Sequence, residues 1–180
     1  GLKHAAVAVA LVGAEDDPSQ TALLLTLRSA NLRAHGRQFA LPGGRCDPGE
    51  TPVEAALREL HEELGLLVDE ADVLGMLDDY PTRSGYLITP VVVWAPRDAV
   101  VTPNPHEVDK VFRIPLGDLA QCDAVDFVSI PESDRPVVRL RFQDDHIHAP
   151  TAAVIYQFRE VIAGRQTRVA HLEQPVFAWR

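Results

Sequence analysis

Glu59, Glu62 and Glu63 stand at i, i+3 and i+4 in a stretch where Val53, Ala56, Leu57, Leu60 and Leu64 recur at helical spacing. At roughly 100° per residue the apolar set gathers on one arc and the three carboxylates on another, with small Ala55 inside the acidic arc leaving room above the helix. Carboxylates on neighbouring turns repel by a few tenths of a kcal/mol per pair. Glu50 lies just upstream, and Arg58 is the only base nearby. One account is an ordinary solvated face. Such faces mix Lys with Glu, however, and neither of the chain's two lysines is here. The helix also follows Gly43-Gly44, where backbone approaches something closely. A hard divalent cation such as Mg²⁺ takes carboxylate oxygens, waters and substrate phosphates, and its charge would relieve the repulsion.

The elements that must position these groups are marked along the chain. Thr51-Pro52-Val53-Glu54 reads as a helix start, with Thr51 as N-cap, Pro52 in the first turn and Glu54 closing a capping box. Gly65 is the expected stop. Ala5–Val12 and Ala22–Leu27 read as strands separated by the polar loop 15–20. Phe39–Leu41 reads as a short strand ending in the turn Pro42-Gly43-Gly44. Val73–Leu77, Tyr86–Trp94, Val108–Ile114 and Val137–Phe142 are further strands, and Thr151–Ala163, ended by Gly164, a second helix. The hairpin-like spacing of Val73–Trp94 implies a mixed sheet. No repeat or linker interrupts residues 1–180, so one domain is expected.

The 180 residues carry a net charge of −9, 46 % apolar residues and a mean hydropathy of −0.04, values that exclude a disordered acidic tail and an integral membrane protein. The charge is local. Residues 47–72 hold nine acids against Arg58, and residues 28–45 hold four arginines and no acid. This balance argues against long nucleic acid as a partner, but not against a nucleotide held through metal. Ala5–Val12 is too short to span a membrane and weak as a secretory signal. Cys46 and Cys122 read as free thiols in a reducing compartment, so a cytoplasmic protein is expected.

Gly44, Glu50 and Arg58-Glu59-Leu60-His61-Glu62-Glu63-Leu64-Gly65-Leu66 together match the Nudix box at all seven fixed positions and both apolar ones. The chain therefore resembles the Nudix hydrolases. The resemblance implies an α+β fold, an α/β/α sandwich around a mixed, mainly antiparallel sheet. It also implies hydrolysis of a nucleoside diphosphate linked to another moiety, with Mg²⁺ or Mn²⁺ as cofactor. Carried over, Glu62 and Glu63 would be the principal metal ligands, Glu59 a further ligand or the water-activating base, and the Gly44 carbonyl an additional ligand. Arg58 and Glu50 would pair to hold the loop against the helix. Glu107, between Pro105-His106 and Val108, is the rival base or extra ligand.

Leu25-Thr26-Leu27-Arg28-Ser29, Leu32-Arg33-Ala34-His35, Gln38 and Leu41-Pro42-Gly43-Gly44 further resemble the coenzyme A pyrophosphatases. Later fragments, among them Thr82-Arg83-Ser84-Gly85 and Thr151-Ala152, fall in that subfamily's order. The chain departs from it at Arg37, where a glycine is usual, at Leu41, where a phenylalanine is usual, and at His148-Ala149-Pro150. Arg28, Arg33, His35 and Arg37 are the candidate contacts to a substrate with an extra phosphate, such as the 3′-phosphate of coenzyme A. The alternatives are ADP-ribose, NADH or another nucleotide, or a non-catalytic module that senses one. His61 reads as a surface residue, Cys46 as incidental, and Trp94, Phe177 and Trp179 as core or subunit contacts, so a homodimer stays open. The expected partner is a small nucleotide, with no nucleic acid polymer and no membrane.

Overall fold

The computed structural model describes residues 1–32 and 36–179. A large mixed sheet is built from β1 (Lys3–Gly13), β2 (Thr21–Arg28), β3 (Phe39–Ala40), β4 (Gly43–Arg45), β5 (Val73–Met76), β6 (Tyr80–Pro81), β7 (Tyr86–Trp94) and β8 (Val108–Pro115). Its central path runs β3-β2-β1-β7-β5, with β4 on β1, β6 on β7 and β8 on β2. Among the described residues of this sheet β1 and β7 pair in parallel, and the other strand pairs are antiparallel.

Strand alternation divides the core in two. On β1, Ala6, Ala8, Ala10 and Val12 face one layer while Val9 and Leu11 face the other; on β7, Val91 and Val93 oppose Val92 in the same way. The first face is covered by helix α1 (Pro52–Leu64), through Ala55, Ala56, Leu60 and Leu64. Alanines on the strand let this helix lie close. The second face is covered by α3 (Thr151–Ile162), which follows the single-turn α2 (Leu116–Leu119), and by a small antiparallel sheet of β9 (Val125–Ile130), β10 (Ser133–Phe142) and β11 (Asp145–His148). The result is the expected α/β/α sandwich.

Thr51 caps α1 as expected: its hydroxyl accepts from the Glu54 N–H and Glu54 Oε2 accepts from the Thr51 N–H at 2.8 Å. Gly65 ends the helix at φ 65°. Two expectations change. Gly43-Gly44 is not merely a turn but the start of β4, and a Cβ on Gly43 would overlap the Ala6 carbonyl. Ala55 does not leave a gap over an acidic face; it is fully buried in the apolar layer. Trp94 and Phe177 are 40 % and 52 % exposed, so neither belongs to the core, whereas the Trp179 ring lies against the Arg83 guanidinium at 4.6 Å. Among the described residues no helix is long and apolar enough to cross a membrane.

Candidate active site

Residues four apart share a row along a helix, and α1 has three such rows. Ala56, Leu60 and Leu64 form the buried one. Ala55, Glu59 and Glu63 run along the seam facing β4, where a Cβ on Gly44 would collide with the Glu59 carboxylate. Arg58 and Glu62 form the outer row, and the Glu62 side chain is 52 % exposed. The acidic arc of the sequence therefore splits: Glu59 and Glu63 point into the site while Glu62 stands on its solvent side.

The carboxylate that joins them is Glu107. The loop before β8 is tied to the end of α1, since the Thr102 N–H donates to the Leu64 carbonyl and the Asn104 N–H to the Glu63 carbonyl, both at 2.8 Å. These bonds satisfy carbonyls that every helix end leaves open. The Ser29 N–H then donates to the Glu107 carbonyl at 2.9 Å, and Asn104 Nδ2 reaches Glu107 Oε1 at 3.4 Å. Carboxylate oxygens of Glu59, Glu63 and Glu107 lie within 4.8 Å of one another.

Arg58 organises the other side. Nε and one terminal nitrogen grip both oxygens of Glu50 at 2.8 and 3.0 Å, and that nitrogen also donates to the Arg45 carbonyl at 3.0 Å. The remaining nitrogen donates to Glu59 at 2.9 Å and Glu62 at 3.2 Å. The five donors of the guanidinium are thus engaged, and the bonds from Arg58 hold the Glu50 carboxyl below its usual range.

Burial shapes the protonation of the inner pair. Glu63, 4 % exposed, is pushed up to about 8 by desolvation and by the neighbouring charges of Glu59 and Glu107, against the pull of Arg28 and the Gly43 N–H. Burial also raises Glu59, with Arg58 opposing and Glu62 and Glu107 adding to the rise. Three crowded carboxylates, of which Glu59 and Glu63 resist ionisation, are a donor set suited to a hard divalent cation, which would displace their protons and relieve the repulsion.

A cleft of about 390 Å³ reaches the cluster through Gly44, which packs against the Glu59 carboxylate, and through Arg28, whose charge acts on Glu63. Arg28, Gly43, Gly44 and Arg45 line it on the glycine side, Thr82, Ser84 and Tyr86 on another, and Thr151 and Gln174 opposite. Of the arginine set, Arg28 lies on this cleft, whereas Arg37 lies in an adjoining smaller pocket with His146 and His148. The expectations for Arg33, His35 and the Cys122 side chain fall outside the described residues; Cys46 is a free thiol and His61 is exposed.

Sequence reasoning did not anticipate the wall that the C-terminal segment supplies. Glu173, 1 % exposed, binds Arg83 at 2.6 Å and Ser133 at 2.9 Å, and Gln174 accepts from the Arg83 N–H at 2.7 Å. Burial alone would raise the Glu173 carboxyl, but the bonds from Arg83, the Gln174 N–H and Ser133 outweigh it and hold it at about 2. A polar Glu-Gln pair in an irregular tail carries no periodicity that would have flagged it.

Comparison with known proteins agrees with this geometry. Residues 2–133 match the NUDIX domain model. The chain is 34 % identical over 163 residues to an uncharacterized Nudix hydrolase, NudL, of Photorhabdus laumondii, covering 89 % of this chain and 85 % of that protein. Its fold is similar to that of the Nudix hydrolase RenU of M. smegmatis, with a TM-score of 0.60 and 24 % identity over 93 % of this chain and 90 % of the other. It is similar also to the NUDIX domain of Shewanella oneidensis NrtR, solved with ADP ribose, with a TM-score of 0.59 and 18 % identity over 90 % and 89 %. A match over most of the length, with the carboxylate cluster assembled on the seam of α1, makes the chain a member of the Nudix hydrolase family, enzymes that act on pyrophosphate bonds.

Proposed function

We propose that the protein hydrolyses the diphosphate of coenzyme A or an acyl derivative, yielding 3′,5′-ADP and a 4′-phosphopantetheine product. The observation that carries this reading is the juxtaposition of Glu59, Glu63 and Glu107 with an arginine-lined cleft. In it, Glu59, Glu63, Glu107 and the Gly44 carbonyl would hold Mg²⁺ or Mn²⁺, and Glu62, bonded to Arg58 on the solvent side, would be a further ligand. The bound cation supplies neutralisation of the diphosphate and a water of lowered pKa.

The chain's own residues do the rest. Arg58 is a positioning residue: it fixes Glu59 against Gly44 and, through Glu50, ties the β4 turn to α1. Glu59 is the base that takes the proton from the attacking water, and Glu107 is its rival from the facing loop. Either must be ionised for this, which Arg58 favours for Glu59. Arg28 offers its charge to the diphosphate where it now offsets Glu63. In-line displacement asks for positioning more than covalent chemistry.

ADP-ribose is the second reading, favoured by the fold shared with the NrtR domain that binds it. Incubation with Mg²⁺ and coenzyme A, ADP-ribose, NADH or dinucleoside polyphosphates, with chromatography of the products, separates the readings. The expected result is 3′,5′-ADP from coenzyme A as the fastest reaction. Faster release of AMP from ADP-ribose would replace the first reading with the second, and tight nucleotide binding without turnover of any substrate would indicate a sensor.

A further inference from the structure

A second pocket of about 190 Å³ adjoins the cleft, and Gln38, Phe39, Ala149, Pro150 and Thr151 border both. Arg37, His146 and His148 line only the smaller one. Arg37 adopts φ 58°, an uncommon conformation for a residue with a side chain, and its N–H donates to the Arg28 carbonyl at 3.0 Å. That tight turn sets Arg28 on the cleft and Arg37 on the pocket. The His148 ring packs edge-on against Phe177 at 5.0 Å and lies 6.2 Å from the His146 ring. Among the described residues His148 Nδ1 is buried with no hydrogen-bond partner, a state that buried polar atoms rarely keep. Helix α3 begins at Thr151 with no side chain capping its first turn, so its open amides and the positive end of its dipole border the same pocket.

Two acids are nearby. Asp145 lines the pocket, but its carboxylate accepts from the His146 N–H at 2.7 Å. Asp126 lies 3.7 Å from His146 Nε2 and 3.6 Å from Arg139 Nε, so it is shared between two bases. A guanidinium, two imidazoles and the open amides of a helix end line a space half the size of the cleft, so hydrogen-bond donors for an anion outnumber the one carboxylate there, while burial holds His148 toward its neutral form. We infer that this pocket is a subsite for a phosphate monoester carried by the substrate, separate from the diphosphate that meets the glutamates.

The inference rests on the hydrolase reading and sharpens it, because it divides the arginines by task. Arg28 serves the bond to be cut, and Arg37 with the histidines selects a substrate bearing an additional phosphate. The test compares kcat/KM within two matched pairs, coenzyme A with 3′-dephospho-coenzyme A and the 2′-phosphate of ADP-ribose with ADP-ribose. The wild-type protein is expected to favour the phosphorylated member of at least one pair by about tenfold, the equivalent of one charge-assisted contact. In His148→Phe, which keeps an aromatic ring on Phe177, and in Arg37→Gly, which suits the backbone angle, that ratio should fall to within about threefold of one. Histidine ring resonances supply a readout that needs no turnover: those of His146 and His148 should move on titration with 3′,5′-ADP and stay still with 5′-AMP. A wild-type ratio near one for both pairs, variants that keep the wild-type preference, or rings that ignore 3′,5′-ADP would each overturn the subsite while leaving the hydrolase intact. If no nucleotide is cleaved, the hydrolase reading fails and the ring resonances alone decide the subsite.

Discussion

A carboxylate that is 4 % exposed and faces two others holds its proton well beyond the ordinary range, and Glu63 does so up to about 8. In the unfolded chain the same group releases its proton near the ordinary glutamate value of 4.5. Between those limits the fold binds the extra proton, so the contribution of Glu63 to stability is greatest below 4.5 and is lost as pH rises through about 8. A divalent cation that takes the proton's place should reverse the trend. Thermal unfolding with EDTA should show a Tm that declines across this window, a decline largely absent in Glu63→Gln, whereas added Mg²⁺ should stabilise more as pH rises. A Tm difference between wild type and variant that stays constant with pH would contradict the assignment. Gly44 permits a second experiment at this scale. A methyl group there would displace Glu59, so Gly44→Ala should lower kcat by about 100-fold, in line with the loss of one positioned charge. Far-ultraviolet circular dichroism should remain unchanged; wild-type kcat would mean that Glu59 is not placed by this contact.

At the scale of elements, α1 was legible because its signals are local. Thr51, Pro52, Glu54 and Gly65 mark its ends, and the spacing of Ala56, Leu60 and Leu64 marks its buried side. The site on it was only half legible. A helical wheel groups Glu59 with both Glu62 and Glu63, and only the packing of α1 against β1 and β4 turns Glu62 outward and buries Ala55. Glu107 was nameable, but nothing local shows that Asn104 anchors its loop to α1. Of the small sheet only Val137–Phe142, the C-terminal part of β10, stands among the expected strands, because β9 and β11 are short and mostly half-exposed, with little alternation to read.

Two outcomes belong to this scale. Leu60→Ala should destabilise by about 3 kcal/mol in urea unfolding, since a fully buried leucine between helix and sheet leaves a cavity; a loss under about 1 kcal/mol would mean the layers collapse together. Glu173, held at about 2 by its partners, stabilises the fold above the ordinary carboxylate range, and that contribution is lost as pH falls toward about 2. Glu173→Gln should therefore cost about 3 kcal/mol at neutral pH and progressively less in acid. A penalty that does not shrink in acid would remove the Arg83–Glu173 pair as its cause.

Over the whole molecule, the net charge of −9 is concentrated in residues 47–72, whose nine acids include Glu59 and Glu63 of the carboxylate cluster. Of the arginines in residues 28–45, Arg28 lies on the cleft and Arg37 in the pocket beside it. The two faces of the sheet divide the labour: α1 and the loop before β8 carry the carboxylates, while the start of α3 and the C-terminal segment wall the cleft. The most direct test of this arrangement is the rate of coenzyme A hydrolysis as a function of Mg²⁺, measured side by side for the wild-type protein and Glu63→Gln. The expected result is saturable Mg²⁺ dependence with release of 3′,5′-ADP, and a rate at least about 100-fold lower in the variant despite an intact fold. Hydrolysis that survives EDTA, or a variant within about threefold of wild type, would contradict a catalytic role for the cluster of Glu59, Glu63 and Glu107.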